Sequence, residues 1–224
     1  MAPLPLLSLL ETRVLGVLVE KERTVPDSYP LTLNALTAGC NQKTSRDPIL
    51  NATDEEVQEA LDRLKSLDLV METSGGRVMR YAHNAGRALH LPPQSVALLA
   101  VMMLRGPQTP GELRINSERL HKFGDILSVQ AFLDELAERP AGPFVKELAR
   151  QPGARENRWM HLLGGEPADE PAPRDPHDPP SPDAITASEV ATLRAEVAEL
   201  RGELASLSDC VARICKELGL PPPS

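Results

Sequence analysis

Between Thr53 and Asn84 the spacing of apolar positions changes period. Val57, Ala60, Leu61, Leu64 and Leu67 follow the i, i+3, i+4, i+7 rule of one helical face. Thr53 and Glu56 frame the start as a capping box, in which the hydroxyl takes a free backbone N–H and the carboxylate reaches back. After Leu69 two apolar runs flank Gly75-Gly76, a pair that accepts positive φ and predicts a β-hairpin. A capped helix running into a hairpin is the back half of a winged helix-turn-helix. Upstream, Ser8 and Glu11 form another capping box and open a helix through about Arg23, with Val14, Leu15, Leu18 and Val19 facing inward. Pro26 and Pro30 bound the next loop. Pro30 suits a first helical residue, because its missing N–H is no loss there. Leu31 to Ala38 then reads as a short second helix ending near Gly39. The polar stretch Asn41 to Asn51, which holds Pro48, reads as a connecting loop. These elements predict a first winged-helix domain over residues 8–84.

The pattern then repeats. VQEALDRL from Val57 matches VQAFLDEL from Val129 at five of eight positions, a displacement of 72 residues. Leu15-Gly16-Val17-Leu18 lies over Leu99-Ala100-Val101-Met102 at a displacement of 84. The first copy therefore carries about 12 extra residues, which the sequence places between Pro30 and Asn51. Thr109-Pro110-Gly111-Glu112 supplies the second copy's helix start, with Pro at the first helical position and a capping Glu. Phe144 to Ala149, a turn at Gln151-Pro152-Gly153, and Trp159 to Leu163 supply its hairpin. This predicts a second winged-helix domain over residues 90–164.

Beyond residue 165 the composition shifts. Seven prolines between Glu166 and Asp183 predict an extended linker over residues 165–184, able to span up to about 55 Å. Val190, Leu193, Val197, Leu200, Leu204, Leu207, Val211, Ile214 and Leu218 then alternate in steps of three and four, the a and d positions of a heptad repeat. Val at most a positions with Leu at most d positions favours two parallel strands, and Glu189 and Glu196 would meet Arg194 and Arg201 of a second chain. A coiled-coil helix over residues 185–219 and a homodimer are expected. The fold class is thus mainly α with small β-hairpins: two tandem winged helix-turn-helix domains plus a C-terminal coiled-coil helix.

Charge changes the picture of partners. The formal charge is −8, yet residues 1–164 hold 19 Lys+Arg against 20 Asp+Glu, and residues 165–224 hold 5 against 12. The body is near neutral and the tail is acidic, so the whole-chain balance does not exclude nucleic acid. Aromatics make up 3 % of the chain, which leaves a core of Leu, Val and Ala. Cys40, Cys210 and Cys215 form no CxxC and no ligand cluster, and His83, His90, His121, His161 and His177 are scattered. There is no Gly-rich phosphate loop, nucleophile elbow or HExxH. No catalytic residue, metal or cofactor is expected, and Cys40 reads as a small core residue. The N-terminus lacks a basic region ahead of its broken apolar run, and no stretch of 18 apolar residues occurs; a cytoplasmic location is expected, without a membrane.

The segments LTLNALTAGCNQKTSRDPIL, VQEALDRLKSLDLV, GGRVMRYAHN and SVALLAVMMLRGPQTPGELR, in this order, resemble the YceH family of bacterial proteins over about residues 8–163. The resemblance implies tandem winged-helix domains. It carries no activity and no functional residue with it.

Two functions fit this architecture. One is a DNA-associated, transcription-regulator-like protein without catalytic activity. In a helix-turn-helix the third helix enters the major groove, and here Thr53 to Leu69 holds six acids against Arg63 and Lys65. Asp134, Glu135 and Glu138 make the second third helix acidic too. Duplex DNA would therefore be met by the wings and the long loop, through Lys43, Arg46, Arg77, Arg80 and Arg87, with Arg150, Arg155 and Arg158 outnumbering Glu156 in the second hairpin. The other function is a protein-interaction adaptor using the acidic helix faces around Glu55 and Glu59, because fold alone does not choose between docking and DNA reading. Dimerisation serves both, doubling half-sites or raising avidity. The heptad register predicts that the full-length chain sediments as a dimer at a concentration on the order of tens of micromolar; a monomer there contradicts it.

Overall fold

A computed structural model describes residues 6–74, 78–140, 142–150 and 156–165. The Gly75-Gly76 turn, Arg77, the turn at Gln151-Pro152-Gly153, Arg155, the proline-rich linker and every heptad position from Val190 to Leu218 lie outside the described residues.

The chain is mainly helical, with two small antiparallel hairpins. Helix α1 (Leu9–Thr24) leads through a 3-10 turn (Pro26–Ser28) to α2 (Leu33–Cys40) and α3 (Asp54–Ser66), and strands β1 (Val70–Ser74) and β2 (Met79–His83) follow. After a short α4 (Ala85–Ala88) the same order recurs as α5 (Pro93–Arg105), α6 (Pro110–Asn116), α7 (Ile126–Ala137), β3 (Val145–Glu147) and β4 (Trp159–His161).

Local chemistry sets the helix starts. The N–H groups of Glu11, Glu56 and Glu112 donate to the hydroxyls of Ser8, Thr53 and Thr109 at 3.2, 3.3 and 3.2 Å, and each Glu carboxylate accepts from the cap residue's own N–H. Asp125 replaces the threonine before α7 and accepts from the N–H of Ser128 at 2.7 Å. Pro30 does not open α2. Leu31 pairs instead with Tyr81, donating its N–H to the Tyr81 carbonyl at 3.1 Å and accepting the Tyr81 N–H at 2.8 Å. Leu31 thus adds one residue of strand to the hairpin, and Thr32 caps α2 by accepting from Ala35. Gln108, just before Thr109, pairs with Trp159 in the same way, at 3.0 and 2.7 Å.

The correspondence extends into the core. Val57, Leu61 and Leu64 of α3 and Val129, Leu133 and Leu136 of α7 are buried at matched positions, as are Leu36 of α2 and Leu113 of α6. Gln58 donates to Asp62, and Gln130 to Asp134. Matching helices start at Leu9 and Pro93, 84 residues apart, at Leu33 and Pro110, 77 apart, and at Asp54 and Ile126, 72 apart. The displacement falls by seven before α2 and by five after it. More than half of the first copy's extra length therefore precedes α2, in a longer α1 and the 3-10 turn, rather than in the loop after it.

The two copies share one apolar core. Helix α1 packs on α5 and also on α2 and α3. This explains why α1 is buried all round from Glu11 to Val19, not only along the stripe its apolar residues mark, and why Ser95 to Leu104 of α5 is buried likewise. Glycines permit the close approaches. A Cβ on Gly16 would stand 3.1 Å from Leu104 Cδ2, and one on Gly39 would stand 2.7 Å from Val17 Cγ1. Gly39→Ala should destabilise the protein by about 1–3 kcal/mol through overpacking. Gly111→Ala, where a Cβ meets nothing closer than 3.9 Å, should leave stability unchanged or raise it by up to about 1 kcal/mol. Urea denaturation measures both, and a neutral Gly39→Ala would contradict the packing.

Candidate interaction surface

The loop from Asn41 to Ala52 is more than a connection. Its base is closed by the Asn41 side chain, which donates to the Ala52 carbonyl and accepts the Ala52 N–H, both at 2.8 Å. Its middle is held by two buried arginines. Arg13, on α1 and fully buried, donates to the carbonyls of Cys40 at 3.2 Å and Pro48 at 2.7 Å, and its Nε has no hydrogen-bond partner among the described residues. Desolvation, with Arg46 nearby, pulls Arg13 below the usual arginine range. Arg46 turns inward from the loop. It pairs with both carboxylate oxygens of Glu20 on α1, at 3.2 and 2.6 Å, and donates to the carbonyls of Gly39 and Ser45. The loop also reaches the second copy: the Asp47 N–H donates to the Leu104 carbonyl at 2.8 Å, and Arg105 donates to Ser45 Oγ at 2.7 Å. Cys40 is buried at its root, and burial pushes the thiol up to about 12.

This placement divides the basic residues the sequence offers for DNA. Arg46 faces the protein interior, so the expectation that it meets phosphate is corrected. Its partner Glu20 lies 26 residues upstream, and a polar loop gives no sign of it. Arg80, half-buried on β2, donates to the Pro30 carbonyl at 2.7 Å and braces the segment ahead of α2. Lys43 in the loop and Arg87 in α4 are exposed, with no acidic partner among the described residues. In the second hairpin Arg158 lies 3.7 Å from Glu112. Among the described cations, Arg46, Arg80 and Arg158 thus have partners within the protein, which leaves Lys43 and Arg87.

The exposed faces of the third helices are as distinct. On α3 the residues opposite the buried face are Glu55, Glu59, Asp62 and Ser66, spaced as one stripe. Its two cations are engaged: Arg63 with Glu11 at 2.9 Å, and Lys65 with Asp62 at 3.1 Å and Glu72 at 2.5 Å. Hydrogen bonds from Lys65 and Gln58 hold the Asp62 carboxyl below its usual range. The matching stripe on α7 is Leu127, Ala131, Asp134 and Glu138, with Glu135 beside it. Sequence reading found the acids. It missed Ile115, Ile126 and Leu127, which are 68, 48 and 78 % exposed.

The histidines do not converge. Among the described residues no three His, Cys, Asp or Glu side chains could hold a metal ion, and no helix is long and apolar enough to cross a membrane. Burial lowers His161 to about 4 and also lowers His83, against the opposing pull of Glu22, whose Oε2 lies 3.2 Å from His83 Nε2.

The Arg46–Glu20 pair carries a pH signature. Burial would raise the Glu20 carboxyl, but the hydrogen bond and charge of Arg46, with Lys21, hold it below its ordinary value. A depressed carboxyl contributes its full stability above about pH 5, and that contribution is lost as pH falls through the folded value. Glu20→Gln should flatten this acid limb in denaturation followed against pH. Arg46→Ala should cost about 1.5–3 kcal/mol at pH 7, since it removes the main partner of the partly buried Glu20 carboxylate and leaves it only Lys21. Wild-type stability at Arg46→Ala would contradict the placement.

Comparison with known proteins agrees with this sequence and structure. Residues 7–154 match the family model described as "Protein of unknown function, DUF480". A UPF0502 protein of Dechloromonas aromatica is 64 % identical over 163 residues, covering 73 % of this chain and 76 % of that protein. A UPF0502 protein of Burkholderia ambifaria is 56 % identical over 213 residues (94 and 89 %), and one of Paraburkholderia phytofirmans is 57 % identical over 222 residues (96 and 90 %). The chain belongs to this DUF480 family of bacterial proteins, the YceH-like family its segments resemble.

Proposed function

We propose that this chain is a non-catalytic pair of winged helix-turn-helix modules that docks protein through the exposed faces of its third helices. The recurring order of three helices and a hairpin supports the winged-helix reading, as does the strand residue before each Thr cap that pairs with the hairpin at Tyr81 or Trp159. The observation that carries the function is the stripe on α3: Glu55 and Glu59 face solvent with no ion pair among the described residues, while Arg63 is tied to Glu11 and Lys65 to Asp62 and Glu72. A major-groove helix set between two rows of phosphate needs a neutral or basic face. The heptads over residues 185–219 would join two such chains and raise avidity for the partner.

A DNA-associated role is the second reading, favoured by Lys43 and Arg87, exposed and without acidic partners among the described residues, with Arg77 between β1 and β2 in the sequence. Affinity purification with the tagged full-length chain separates the two. Specific protein partners should be enriched and then lost with Glu55→Lys plus Glu59→Lys. Partners unchanged by that reversal, together with duplex binding that weakens steeply with salt and is lost with Lys43→Ala plus Arg87→Ala, would overturn the docking reading.

A further inference from the structure

The two copies make an internal control for which residues folding requires. Their buried positions agree, so differences between matched exposed positions are not demanded by the core. Ile115, Ile126 and Leu127 of the second copy correspond to Ala38, Asp54 and Glu55 of the first. The same helical scaffold thus forms with small or acidic residues where the second copy exposes three large apolar ones.

Ile115 and Ile126 both lie near Gly111. Ile115 stands one helical turn after Gly111 on α6, and a Cβ at Gly111 would approach Ile126 Cδ1 to 4.0 Å. Leu127 follows in the first turn of α7. Large apolar residues gathered on a surface mark a contact site. Along α7 from Leu127, the stripe continues through Ala131 to Asp134 and Glu138, with Glu135 beside it. Among the described residues the Asp134 carboxylate accepts only from Gln130, and Glu135 and Glu138 form no ion pair. On the other side, Arg114 lies near Asp125, and Arg119 and Lys122 are exposed in the α6–α7 connection.

We infer that the α6–α7 face of the second copy is a docking site for an amphipathic basic helix of a partner protein. The inference rests on the docking reading above and names the partner's chemistry. The partner's apolar residues cover Ile115, Ile126 and Leu127. Its Lys or Arg residues lie about 10–16 Å further along, over Asp134, Glu135 and Glu138, the distance that seven to eleven residues of helix span. The cations of the connection disfavour basic residues at the opposite end and so set the orientation. The first copy, with Ala38, Asp54 and Glu55 at the matched positions, lacks the apolar anchor.

The probe is a synthetic helical peptide with a leucine face at one end and lysines one to two turns further along the same face. Its binding to the full-length protein is read by fluorescence anisotropy. The lysine peptide should bind, and its Lys→Glu counterpart should bind at least about tenfold more weakly. Ile115→Ser with Leu127→Ser should weaken the lysine peptide at least about tenfold, with an unchanged thermal midpoint because both side chains are exposed. No binding of the lysine peptide, or equal binding of the two peptides, overturns the inference. So does finding that Ile115→Ser with Leu127→Ser abolishes self-association in sedimentation, duplex DNA binding, or binding to phosphatidylglycerol vesicles, since each places another occupant on this face. If peptide binding fails while the purified partners remain sensitive to Glu55 and Glu59, only this inference falls. If peptide binding holds while that sensitivity is absent, docking is confined to the second copy.

Discussion

The packing of α1 against α5 is the constraint on which the described fold rests. Each is the first helix of its copy, and neither presents a polar side to water over its central turns. The contact is close because Gly16 brings the α1 backbone against Leu104 and Met103. Small helical modules of this size bury too little surface to be comfortably stable alone. Joining two of them helix to helix makes one core from two marginal ones. Gly39 against Val17 extends the same economy of space to α2.

The loop after α2 is built onto this pair. Arg13 and Arg46 are two guanidinium groups in a region with one paired carboxylate, Glu20, and main-chain carbonyls and Gln42 Oε1 take most of their other donors. Such an arrangement is poor as a source of stability and good at selecting one loop conformation over others. Through Asp47 and Ser45 the loop touches the end of α5, so the first copy's extra residues help join the copies. The arrangement also takes Arg46 out of any phosphate-binding surface. The two interiors keep a common set of apolar positions on their third helices, while the exposed faces of those helices differ between the copies.

Much of the scaffold is legible in the sequence, because it depends on short-range chemistry. Ser8 with Glu11, Thr53 with Glu56 and Thr109 with Glu112 are capping boxes that need only three residues' separation, and the matched octamers at Val57 and Val129 mark equivalent helices. What the sequence hides depends on distant partners. Arg46 sits among polar neighbours that look solvated, and Arg80 reaches a carbonyl 50 residues away. Pro30 satisfies every local rule for a helix start, yet Leu31 is taken by Tyr81, and no local rule reports that. The apolar surface of the second copy was within reach: aligning the repeats sets Leu127 against Glu55, a contrast visible once interior and exterior positions are separated.

The claim that ties these observations together is that the third helices face away from nucleic acid. Amide hydrogen exchange of the full-length protein, with and without a long duplex at low salt, tests it directly. The account predicts unchanged exchange across α3 and α7, with any protection confined to the loop holding Lys43, to α4 and to the hairpin turns. Protection of both α3 and α7 by the duplex would contradict it.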